Sequence, residues 1–124
     1  MDSILIRTLN GEKTNRPPVW FMRQAGRILP NYMQLKESYT FHELMNDKDL
    51  ASKVTLLPIQ DLNVDAAILF SDILVIPHAL GLDVEFKKTG PIFNNPLNFN
   101  SKAADLEFDS SKLNYIYNLS LIHI

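Results

Sequence analysis

Cysteine is absent from the 124 residues, which excludes disulfides, thiolate metal sites and a cysteine nucleophile and suits a reducing compartment. An excess of one charge is lacking too. Twelve Lys and Arg stand against fourteen Asp and Glu, a net charge of -2, so neither a nucleic-acid partner nor an anionic membrane surface is expected. Long apolar runs are missing: the richest stretch, 66–82, is interrupted by Ser71, Asp72, Pro77 and His78. That falls short of the roughly 20 apolar residues a membrane helix requires. The opening Met1-Asp2-Ser3-Ile4-Leu5-Ile6-Arg7 has an acid where a signal peptide needs bases, so no export signal is expected and the protein reads as cytoplasmic. The signatures GxGxxG, GxxxxGK[ST] and GxSxG do not occur, which leaves nucleotide binding and serine hydrolysis without an anchor. His42, His78 and His123 share no metal-ligand spacing. What remains is 46% hydrophobic and 21% charged, the composition of a domain that packs a core.

Arg16-Pro17-Pro18 restricts the backbone ahead of Val19-Trp20-Phe21-Met22, a β-branched and aromatic segment that predicts a buried strand. Arg23 to Pro30 predicts a loop leading to a helix over about 31–39. Thr40-Phe41-His42-Glu43 has the form of a capping box and predicts a short helix. A longer helix should start near Asp47 or Asp49 and end near Asn63, kinked at Pro58. Ala66-Ala67-Ile68-Leu69-Phe70 is a continuous apolar run of the kind found in a strand buried on both faces, and Ser71-Asp72 falls just past its end. A short helix or turn over 73–80, stopped by Gly81, is expected next. Alternation over 82–86 then predicts a half-exposed strand, with 87–91 as the turn of a hairpin or flap. The asparagine-rich 94–100 reads as loop, and Ser110-Ser111-Lys112 as the opening of a last helix. This order is the βα pattern of a parallel α/β fold.

Two places carry chemistry. All four arginines fall within the first 27 residues, and Arg23 and Arg27 stand four apart across Gln24-Ala25-Gly26. On one turn, two guanidinium forks would face a single ligand, with carboxylate or phosphate as the natural target and Gly26 permitting close approach. A solvated basic turn is the alternative, with surface ion pairs worth roughly 0 to 1 kcal/mol. Asp72 lies between two apolar segments without a basic neighbour, so it needs donors, a cation or a ligand. An N-cap on the segment beginning at Ile73 satisfies it equally well. Asp61 and Asp65 could face one way, but no third oxygen ligand accompanies them, and a metal is not expected there.

The run from Arg16 through Arg27 resembles the opening signature of the uroporphyrinogen decarboxylase family, and Ala66-Ala67-Ile68-Leu69-Phe70-Ser71-Asp72-Ile73-Leu74 resembles its second. Pro77-His78-Ala79-Leu80-Gly81-Leu82 and Lys88-Thr89-Gly90-Pro91 also match the family's text, so the resemblance covers about 16–117. It implies a (β/α)₈ barrel, of which this chain would be an incomplete N-terminal portion, since such a barrel takes about 250 residues. It further implies a cyclic tetrapyrrole substrate, uroporphyrinogen, whose four acetate groups become methyl groups with loss of carbon dioxide, without cofactor or metal. Arg23 and Arg27 would bind substrate carboxylates, with Gln24, Ala25 and Gly26 lining the pocket. Asp72 would be the catalytic group, facing the pyrrole N–H groups.

The family portion is taken as 1–118, with 119–124 as a divergent and non-native tail. The full-length protein is expected to be a homodimer, and the short chain to be poorly soluble and inactive alone. Two alternatives stand. One is a fragment of the related corrinoid-linked methyltransferase barrels, which take zinc from later sequence; the other is a non-catalytic tetrapyrrole-binding piece.

Overall fold

The computed structural model describes residues 3–21, 26–87, 89–98 and 100–122. Its helices begin where short polar side chains meet free amides. Ser3 Oγ accepts from the Ile6 amide and opens α1 (Ile4–Leu9), an element that local apolar spacing did not announce. α2 (Pro30–Ser38) starts on Pro30, whose fixed φ and missing N–H suit a first helical position. α3 (Phe41–Asn46) carries the expected capping box: the Glu43 amide donates to Thr40 Oγ1 at 3.2 Å, and the Thr40 amide donates to Glu43 Oε2 at 2.8 Å. Asp47 Oδ1 caps α4 (Lys48–Leu62) by accepting from the amides of Asp49 and Leu50, both at 2.9 Å. Pro58 sits inside α4 without ending it, and Asn63 stops the helix in the left-handed region at φ 53°.

Past Asp72 comes α5 (Val75–Ala79), closed by Gly81 at φ 86°. An antiparallel hairpin follows, β1 (Val84–Lys87) and β2 (Gly90–Phe93), in register from Val84 opposite Phe93 to Lys87 opposite Gly90. Its connection is tighter than the expected 87–91, because Lys87, Gly90 and Pro91 are already paired. Gly90, at φ 124°, supplies backbone freedom that other residues lack there. A 3-10 turn (Ser110–Leu113) leads into α6 (Asn114–Ile122).

The core gathers where α2, α3, α4 and α6 converge. Leu44, Ala51, Val54 and Leu119 are wholly buried there, with Leu29, Tyr32, Met45, Leu57 and Phe70 packed around them. Each large aliphatic side chain so buried contributes about 1.5–3 kcal/mol.

The expected strands at 19–22 and 66–70 are corrected. Neither Val19 to Phe21 nor Ala66 to Phe70 is a strand, and Met22 lies outside the described residues. The two segments are nonetheless neighbours, for the Asp65 amide donates to the Val19 carbonyl at 2.9 Å. An apolar run has strand propensity, but a strand needs flanking strands to pair with. Among the described residues the only sheet is the hairpin. The observed architecture is therefore mixed helix and strand without a closed barrel.

Candidate functional site

Gly26 and Arg27 form the turn that enters α2. The Leu29 amide donates to the Gly26 carbonyl at 3.0 Å, and Leu29, 1% exposed, anchors the turn in the core. Arg27 stays exposed at its apex and forms no ion pair among the described residues. Arg23, Gln24 and Ala25 lie outside the described residues, so the expected pairing of two guanidinium forks across the turn does too.

Asp72 reaches the same place from the other side. Thr55, buried within α4, accepts the Phe70 amide on its Oγ1 at 2.8 Å and donates to the Ala51 carbonyl at 2.7 Å. This pins Phe70 and sets where Ser71 and Asp72 emerge. Asp72 is half-buried and its Oδ1 accepts from the Leu74 amide at 2.7 Å, a local turn ahead of α5 and not the expected helix N-cap, since α5 begins at Val75 with Leu74 in the cap position and no side chain capping it. Oδ2 has no hydrogen bond to another described residue.

Gly26, Arg27 and Asp72 line one open cleft of about 1040 Å³, walled by Trp20, Phe41 and the 68–73 segment. Lys36 of α2 lines it as well and was not anticipated. Tyr32 and Lys36 are four apart on α2 and both face the cleft. Burial pushes the Tyr32 hydroxyl above its ordinary pKa, and the nearby Arg27 charge works against this. Two cations, a carboxylate and a largely apolar wall in one cleft suit a ligand with both acidic and apolar groups.

The wall is braced by rings. Phe70 meets Tyr32 edge-on at 6.1 Å and Phe41 edge-on at 5.6 Å, and Phe41 continues to Phe86 of β1 at 5.0 Å. Asp72 also borders a hollow of about 580 Å³ under the hairpin and a smaller one of about 50 Å³ beside Tyr115. Burial, reinforced by the Asp72 charge, raises the Tyr115 hydroxyl above its usual pKa.

Asp65 does other work than the metal binding that was weighed for it. Both its oxygens take the Arg16 fork, at 2.6 and 2.8 Å, and Oδ2 also accepts from the Val19 amide at 2.8 Å. These donors hold its carboxyl down at about 2. Asp61 accepts from Asn31 Nδ2 at 2.7 Å. Arg16 is thus committed to the fold, while Arg27 forms no ion pair among the described residues.

The profile of the uroporphyrinogen decarboxylase (URO-D) family matches residues 2–121. The chain belongs to the uroporphyrinogen decarboxylase family. Relatives of that name agree with it. The one from Christiangramia forsetii is 50% identical over 97 residues, covering 77% of this chain and 28% of the relative. The one from Protochlamydia amoebophila is 52% identical over 94 residues, covering 75% and 26%. That of Thermus thermophilus is 44% identical over 98 residues, covering 78% and 29%. The chain therefore spans well under a third of the length of these URO-D relatives. The family match holds all of Gly26, Arg27, Lys36 and Asp72. No helix among the described residues is long and apolar enough to cross a membrane.

Proposed function

We propose that the chain forms the first part of a uroporphyrinogen decarboxylase active site, within the N-terminal portion of a (β/α)₈ barrel whose full-length form is a cytoplasmic homodimer. The observation that carries this reading is the convergence of Arg27, Lys36 and Asp72 on one cleft, in a chain that matches the family across both of its site-bearing segments. The ligand is uroporphyrinogen, and the full-length reaction turns its four acetates into methyl groups with release of carbon dioxide, giving coproporphyrinogen.

Arg27, with Arg23 and the backbone of Gln24, Ala25 and Gly26, binds the substrate's carboxylates. Lys36 adds a third charge on the cleft wall. Decarboxylation needs an electron sink, which a pyrrole becomes once its α-carbon is protonated and positive charge spreads to the ring nitrogen. Asp72 stabilises that charge by accepting pyrrole N–H groups on its carboxylate. Loss of one such preorganised group typically lowers a rate about 10²- to 10³-fold. Residues 1–118 are the family portion and 119–124 a divergent tail, although the family match runs to residue 121, α6 continues across that division and Leu119 is core.

The test uses uroporphyrin I, the air-stable oxidised macrocycle with eight carboxylates, titrated into the purified chain and followed by porphyrin fluorescence. Binding is expected, with Arg27→Ala weakening it roughly tenfold, the worth of one charge-assisted contact. Asp72→Ala should weaken it as well. Wild-type affinity in both variants would remove the reading. Uroporphyrinogen incubated with the chain should yield no coproporphyrinogen, and its appearance would overturn the expectation of inactivity.

A further inference from the structure

The two walls of the cleft come from segments far apart in sequence, and hydrogen bonds joining them converge on Asp65. Its carboxylate takes the Arg16 fork through Oδ2 at 2.6 Å and Oδ1 at 2.8 Å, its Oδ2 takes the Val19 amide at 2.8 Å, and its own amide donates to the Val19 carbonyl at 2.9 Å. Val19 lies one residue before Trp20, a cleft residue, and seven before Gly26. Asp65 lies three residues before Ile68, also in the cleft, and seven before Asp72. The clamp therefore sits at the root of both walls.

We propose that Arg16 and Asp65 are a positioning pair for the ligand cleft, setting the separation and orientation of the wall segment that carries Trp20 relative to the one that ends in Asp72. The chemistry suits the task. A guanidinium donating two parallel N–H groups to one carboxylate fixes direction as well as distance, which a lysine ammonium does not. The Asp65 side chain is 12% exposed, so the carboxylate is largely withdrawn from water although the Arg16 side chain opposite it is 51% exposed. The added amide bonds tie the same carboxylate to backbone, so its position is passed to the chain itself. A ligand site tolerates about 0.5 Å of looseness in its supports, and displacement by 1 Å can lower a rate about 10²-fold. A clamp rooted in both walls meets that demand.

This inference rests on the tetrapyrrole-binding reading, and the test separates the two. Trp20 is the chain's single tryptophan, stands next to the clamped Val19 and lines the cleft, so its emission reports wall position without any ligand. Asp65→Asn, Arg16→Gln and Arg16→Lys are compared in the full chain by far-UV circular dichroism, Trp20 emission with acrylamide quenching, and uroporphyrin I titration. The expected result is unchanged helix content, altered Trp20 emission, and affinity reduced roughly 10- to 100-fold in Asp65→Asn and Arg16→Gln. Arg16→Lys should lie between these and wild type. Wild-type Trp20 emission and affinity in Arg16→Gln would overturn the proposal, as would affinity lost only in step with helix content. If Asp65→Asn does not fold, the two Arg16 variants decide, because Asp65 keeps its Val19 amide in them. If the wild-type chain fails to bind uroporphyrin I, the functional reading falls and Trp20 alone judges the clamp.

Discussion

Replacing Thr55 by valine isolates the bond that places the end of the 66–72 segment. The two side chains have nearly the same shape, so no large cavity opens, but the hydroxyl goes. Thr55 is 6% exposed, and its Oγ1 is the acceptor for the Phe70 amide at 2.8 Å in a buried setting. That amide would be left without a partner, at a cost of about 1–3 kcal/mol. The Ala51 carbonyl, which receives the hydroxyl's proton, lies inside α4 and remains served by the helix. The extra methyl returns about 0.8 kcal/mol, so a net loss of about 0.2–2.2 kcal/mol is expected. For a domain of this size each kcal/mol moves the melting point by about 4 °C, which makes the shift about 1–9 °C. Urea unfolding should show a lower midpoint at an unchanged slope. Residue-resolved amide exchange separates this from a general loosening: the Phe70 amide should exchange faster in Thr55→Val and stay protected in Thr55→Ser, which keeps the oxygen. A valine variant as stable as wild type, with Phe70 still slow to exchange, would refute the reasoning.

Two further outcomes are expected. Asp65 titrates at about 2 in the folded chain against an ordinary 3.8, so its pairing stabilises the fold above about pH 4 and is lost as pH falls from there through about 2. The urea midpoint should drop across that window more steeply in wild type than in Asp65→Asn, and equal acid dependence would contradict the sign and the cause. Leu119 is wholly buried among the core side chains of α2 to α4, so Leu119→Ala should lower stability by about 2–5 kcal/mol, read by urea unfolding. A loss below about 0.5 kcal/mol, the usual range for a surface change, would remove this residue from the core.

Features whose physics is local were readable from the chain alone. Thr40 and Glu43 are three apart and cap α3 as their spacing demands, and Gly81 stops α5 for reasons contained in its own backbone. Asp72 was conspicuous because an acid flanked by apolar segments must be satisfied by something, and one of its oxygens is met by the Leu74 amide two residues on. Features that depend on distant partners were not readable. Fifteen positions separate Thr55 from Phe70 and forty-nine separate Arg16 from Asp65, and no spacing rule connects them. Lys36 looked like any exposed helical lysine until α2 was seen to run along the cleft. The run at 66–70 was read as a strand because its composition favours one, yet strand formation depends on neighbours that composition does not specify.

Phe41 touches Phe70 on one side and Phe86 on the other, at 5.6 and 5.0 Å. In terms of sequence drift, one ring is thereby held to two standards. A smaller side chain at 41 would unseat a cleft wall and a hairpin strand together, whereas a change at 86 alone could be absorbed by the hairpin. Positions 41, 70 and 86 are therefore expected to be replaced as a set.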